Sequence, residues 1–136
     1  MVISGQVNKV AFYCRMNHRD RDYEKYLDAV MKKLKVVYGE QEWKLKIYFE
    51  VASGADPKRK KWNLLKEELM AGRINVVVSV RASMIARDWG QFLEFMKICE
   101  DAQAEVLCLD AVENAAGIYQ RIREFENAYF KGCERK

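Results

Sequence analysis

The residues best suited to chemistry begin with Arg15, which ends the apolar run Val10-Ala11-Phe12-Tyr13-Cys14 and opens the polar group Arg15-Met16-Asn17. In an open α/β sheet, ligands bind outside the carboxyl ends of the strands. A guanidinium placed just after a first buried strand is therefore positioned to hold an anionic substrate. A second cationic stretch, Lys58-Arg59-Lys60-Lys61 followed by Lys66, admits two readings: salt-sensitive contact with phosphates, or the solvated start of a basic helix. His18 is the sole histidine and has no partner cluster, so it reads as a surface or cap residue rather than a base or ligand. Cys14, Cys99, Cys108 and Cys133 are widely separated and form no C-x-x-C pair, which argues against a disulfide framework or a zinc site. No metal and no cofactor are expected. There is no G-x-G-x-x-G or P-loop pattern to hold a nucleotide.

The elements that must position these groups are legible from periodicity. After the first strand, Tyr23, Tyr26, Leu27, Val30, Met31, Leu34 and Val37 recur at helical spacing up to Gly39. Trp43 to Phe49 alternates, with Leu45, Ile47 and Phe49 on one face and Lys44, Lys46 and Tyr48 on the other, as in a half-exposed edge strand. Glu50 to Pro57 reads as a flexible loop, and the next helix uses Trp62, Leu65 and Leu69 before stopping at Gly72. Ile74 to Val80 is β-branched, as a central parallel strand covered on both faces requires. Asp88 to Ala102 returns to helical period through Trp89, Phe92, Met96 and Cys99, and Val106 to Leu109 is a short buried strand. This alternation predicts an α/β fold: three layers, a mostly parallel sheet of four to five strands, and a long C-terminal helix. In that last helix, Ile118, Ile122, Phe125 and Tyr129 form a narrow seam, suited either to its own sheet or to another chain.

The 136 residues are expected to form one domain, and half of them are hydrophobic while 32% are charged, which excludes a disordered chain. A formal charge of +4 favours anionic partners but falls short of a dedicated nucleic-acid binder. No apolar run is long enough to span a membrane and no leader precedes the first strand, so a soluble, cytoplasmic protein is expected.

Three segments resemble the catalytic domain of the serine recombinases, the resolvase and invertase family that cuts and rejoins DNA at specific sites. Tyr13-Cys14-Arg15-Met16-Asn17 is similar to the family's Y-x-R-V-S. Glu50-Val51-Ala52-Ser53-Gly54, with Arg59 and Trp62 beyond it, is similar to D-x-x-S-G followed by R-P-x-F. Ser83-Met84-Ile85-Ala86-Arg87 stands in the place of D-R-L-x-R. The resemblance implies a serine that attacks a backbone phosphate to form a phosphoserine link. It further implies arginines that hold the charge building on the phosphoryl oxygens. Arg15, Arg59 and Arg87 match three of those arginines and Glu50 and Ser53 match loop positions, while Lys60, from the cationic stretch, is expected to add a phosphate contact if that stretch is not simply a solvated helix start.

The departures shape the functional expectation. Asn17 occupies the nucleophile's position, and an amide cannot form the phosphoester. Ser83 replaces an Asp and Met84 an Arg, removing a charge pair and a phosphate-binding cation together. The DNA-binding module that usually follows the long helix in the family is not expected in this chain. The resemblance therefore implies a resolvase-type recombinase domain that is catalytically inactive. It would act as an interaction or regulatory subunit in DNA recombination, as a homodimer or with an active recombinase, and touch DNA weakly through backbone phosphates. Ile118, Ile122, Phe125 and Tyr129 are its expected interface. The alternative is an active strand-transfer enzyme using a substitute nucleophile, with Ser53, Ser83 and Cys14 as candidates. In either case Arg15 and Arg87 could instead be cations held by carboxylates such as Glu50.

Overall fold

A computed structural model describes residues 7–16, 23–51 and 58–134. Its elements are β1 (Asn8–Met16), α1 (Tyr23–Tyr38), β2 (Trp43–Val51), α2 (Lys60–Met70), β3 (Val76–Ser79), α3 (Ala82–Ile85), α4 (Trp89–Asp101), β4 (Glu105–Cys108) and α5 (Ala115–Glu134). The described strands form one parallel sheet in the order β2-β1-β3-β4, with helices flanking it, as the sequence predicts. Central β3 is buried along its whole length, because a parallel strand covered on both faces is stable only if nearly every side chain is apolar.

Side-chain alternation divides the core into two. Ala11 and Tyr13 of β1 pack with Trp62, Leu65, Phe95 and Met96 of α2 and α4. Val10, Phe12 and Cys14 face the other way, onto Val30 and Leu34 of α1 and onto Met84. Helix ends follow local chemistry: Gly39 and Gly72 take positive φ after α1 and α2, and the Asp88 side chain caps α4 by accepting from the Gly90 and Gln91 N–H groups.

Several expectations are corrected. Glu50 and Val51 belong to β2 rather than to a loop, since their backbone pairs with Arg15 and Met16. On β2 the two faces are buried unevenly: Tyr48 is buried beneath α2 although Lys44 and Lys46 on the same face are exposed, and Ile47 is exposed although Leu45 and Phe49 beside it are half-buried against the α1-side core. Trp89 is not a core residue; it is 62% exposed at the first turn of α4 and packs edge-on against Phe92. The sequence reading also missed α3, four residues lying between the β3 end and Arg87. The seam of α5 splits: Ile118 and Ile122 pack on the core, whereas Phe125 is 72% exposed. Tyr129 has a side chain outside the described residues.

Candidate functional site

The carboxyl end of the sheet collects the three segments singled out in the sequence. Arg15 lies inside β1 rather than beyond it, in register with Glu50 of β2, and it is only 5% exposed. Alternation puts it on the side of Tyr13 and away from Cys14. Its donors reach α3: Nη2 donates to the Ser83 carbonyl at 3.0 Å and Nε to the Met84 carbonyl at 3.3 Å. Burial lowers the Arg15 pKa, and the nearby charges of Arg59 and Arg87 push in the same direction, against Tyr13 and Glu50.

Arg59, at the N-cap position of α2, is 1% exposed. Its Nη1 donates to the Ile85 carbonyl at 2.7 Å and to the Tyr13 hydroxyl at 2.9 Å, and its Nη2 donates to Gln91 Oε1 at 3.4 Å. The guanidinium also stacks on Trp62, 3.8 Å from the ring centroid. Together the two arginines therefore satisfy the carbonyls of Ser83, Met84 and Ile85, the groups that a short helix leaves without partners at its C-terminal end. This explains why so short a helix forms where no capping signal marks it.

Glu50 does not serve as the partner carboxylate of this cluster in the way the sequence suggested. It accepts from the Tyr13 hydroxyl at 2.5 Å and from the backbone N–H groups of Lys61 and Trp62 at 3.0 and 3.1 Å, anchoring the first turn of α2. Burial, followed by the hydrogen bond to Glu50, raises the Tyr13 pKa, so the phenol stays protonated and donates.

In the third segment Met84 is 9% exposed and packs in the α1-side core. Ser83 is half-buried, and its hydroxyl donates to Glu113 Oε2 at 2.9 Å. Beside this pair, Arg87 is exposed on the wall of a cavity of about 310 Å³, shared with Ala86, Trp89, Phe92 and Ile118. Glu113 is a residue the sequence reading missed; no local pattern marks it, since it meets Ser83 from 30 positions away. Lys60 is exposed, whereas Lys66 is drawn onto the Trp62 ring and towards Glu94. Expectations for Asn17, His18 and Ser53 fall outside the described residues. Cys14 is buried, and burial pushes its thiol up to about 11, unsuited to act as a thiolate at neutral pH. Among the described residues no group of His, Cys, Asp and Glu could hold a metal ion. No helix among them is long and apolar enough to cross a membrane.

The carboxyl end of a parallel four-stranded sheet thus carries two buried arginines delivered by different elements of an α/β domain. Residues 10–129 match the family model for the resolvase N-terminal domain, and the chain belongs to that family. Its fold is similar to the C-terminal catalytic domain of ISC1926 TnpA, an IS607-like serine recombinase, with 13% identity over 89% of this chain and 82% of that one, and a TM-score of 0.63. It is similar to the N-terminal catalytic domain of TP901-1 integrase, with 18% identity over 90% and 98% of the two chains and a TM-score of 0.62. A resolvase-family site-specific recombinase from Streptococcus pneumoniae gives 18% identity over 94% and 97%, with a TM-score of 0.54. No curated protein matches the sequence.

Proposed function

We propose that this resolvase-family domain does not cut DNA and serves DNA recombination through interaction, as a homodimer or by docking on an active recombinase. The observation that carries the reading is the state of the third segment. Where the family resemblance calls for a phosphate-binding cation, Met84 is a core side chain. Its backbone carbonyl, with those of its two neighbours, occupies donors of Arg15 and Arg59 that an anion would otherwise take. With Asn17 at the nucleophile position, the machinery for phosphoryl transfer lacks both its attacking group and a charge-stabilising donor. Losing one such donor costs about 100-fold to 1,000-fold in rate.

The direct test is incubation with supercoiled and nicked DNA, followed by denaturing electrophoresis for a protein-linked strand, using the chain as it stands and Asn17→Ser. Neither should give an adduct, and both should fold. An adduct from the unaltered chain would overturn the reading.

One observation favours the second reading, an active strand-transfer enzyme with a substitute nucleophile: the Ser83 hydroxyl is hydrogen-bonded to the Glu113 carboxylate beside exposed Arg87. Under that reading the adduct forms in the unaltered chain and is lost in Ser83→Ala.

A further inference from the structure

The amino-terminal ends of β1 and β2 lie at the opposite end of the sheet, since the six residue steps from Lys9 to Arg15 span about 20 Å of extended strand. There the register sets Lys9 directly beside Lys44, with Lys46 two residues further along β2 on the same face. Neighbouring strands are about 4.8 Å apart. Two ammonium groups held on adjacent positions repel, and the fold gains nothing from placing them there.

These lysines converge on two adjoining hollows. One, about 430 Å³, is lined by Val7, Lys9, Lys44, Gly72 and Asn75. The other, about 140 Å³, brings Lys9 and Lys44 together with Lys46, Arg73 and Glu68. Among the described residues Glu68 is the sole carboxylate on either wall, and it is engaged by Arg73 Nη1 at 3.4 Å. Among the described residues none of Lys9, Lys44 and Lys46 has an ion-pair partner; Lys46 Nζ rests 5.1 Å from the Tyr48 ring centroid. Asn75 accepts the Lys9 N–H at 2.7 Å through Oδ1, which leaves its amide protons as further donors. The C-terminal carbonyls of α2 do not account for the cluster, because the N–H groups of Ala71, Gly72 and Arg73 already take those of Glu67, Leu69 and Glu68.

We propose that Lys9, Lys44, Lys46 and Arg73 form a phosphate-binding site for the backbone of a nucleic-acid strand, at the end of the sheet away from the arginine cluster. A concave surface lined by four cations and one carboxylate focuses positive potential, and phosphodiesters spaced along a strand match cations spaced along an edge strand. Such contacts carry no sequence information and do not depend on whether the chain cuts DNA.

The test is fluorescence anisotropy with a labelled duplex of arbitrary sequence across a range of salt concentrations. It compares the full chain with Lys44→Glu, Lys9→Glu/Lys44→Glu, and Lys35→Glu as an exposed control on α1. The slope of log K against log salt should fall in magnitude by about 0.9 for each contacting cation removed, and hence by about 2 in the double variant. Lys35→Glu should leave it unchanged. Because Lys44→Glu removes a like-charge contact, its thermal midpoint should hold or rise while binding falls. An unchanged slope in the double variant would overturn the site. So would binding of inorganic tripolyphosphate, lost in that variant, with no binding of the duplex, since the ligand would then be a free phosphate chain.

Discussion

The Tyr13 hydroxyl donates to Glu50 Oε2 at 2.5 Å across the β1–β2 pair, and through this bond the end of the sheet is tied to the first turn of α2. Tyr13 is simultaneously an acceptor for Arg59, so one phenol links a buried cation to a carboxylate. Such a chain behaves as a unit rather than as separate contacts.

Tyr13→Phe and Glu50→Gln should therefore be strongly non-additive. Each alone is expected to cost about 1.5–3 kcal/mol, the range for hydrogen bonds involving charged groups. The double variant should cost about 1 kcal/mol less than their sum. Urea denaturation of the four proteins measures this, and additivity within about 0.3 kcal/mol would show that the bond is not a coupled one.

A substitution at Met84 tests whether the site can be restored from the sequence pattern alone. Met84→Leu preserves volume in the α1-side core and should cost less than about 1.5 kcal/mol. Met84→Arg places a cation among Val10, Phe12, Val78 and Leu34 and should cost at least about 2 kcal/mol. Combined with Asn17→Ser it should still give no DNA adduct. A stable Met84→Arg protein, by the same denaturation measurement, would show that the side chain can leave the core.

The sheet and the long helices could be read from the sequence because their signals are local. The β-branched run around Val76–Ser79, the helical spacing of apolar residues in α1 and the helical period of α4 each act within a few residues. What escaped detection depends on distant partners. Helix α3 is completed by Arg15, whose donors arrive from 68 and 69 positions away, and by Arg59. Alternation on β2 separated its two faces but could not show that α2 would bury Tyr48 and leave Ile47 exposed. The same limit applies at the site. The family resemblance implied that Arg15, Arg59 and Arg87 would share a site, but not that donors of Arg15 and Arg59 would go to backbone carbonyls.

Alkaline pH should destabilise the fold through its buried thiols. Burial moves Cys14 from 9.0 up to about 11 and Cys99 from 9.0 up to about 12. Between pH 9 and pH 11 the folded chain thus holds protons that the unfolded chain has released. Stability is fully present below pH 9 and falls as pH rises through this window, by about 1.4 kcal/mol per pH unit for each such thiol. Thermal scans between pH 8 and pH 11 measure the loss, and Cys14→Ala should flatten it by about one thiol's share. Equal pH slopes for the two proteins would show that Cys14 is not a protonated core thiol.

The seam of α5 makes opposite predictions at two positions one turn apart. Ile122 packs against the core, and Ile122→Ala should lower stability by about 1–2 kcal/mol, less than for a fully buried isoleucine because the side chain is half-exposed. Phe125 is 72% exposed, so Phe125→Ala should change stability by no more than about 0.5 kcal/mol when measured at low protein concentration. If the outer part of α5 meets a second copy, the same Phe125→Ala change should weaken self-association in analytical ultracentrifugation, while Ile122→Ala acts chiefly on folding. A Phe125→Ala protein that folds normally and sediments like the unaltered chain at every concentration would remove this residue from the interface and confine the contacts of the seam to its own core.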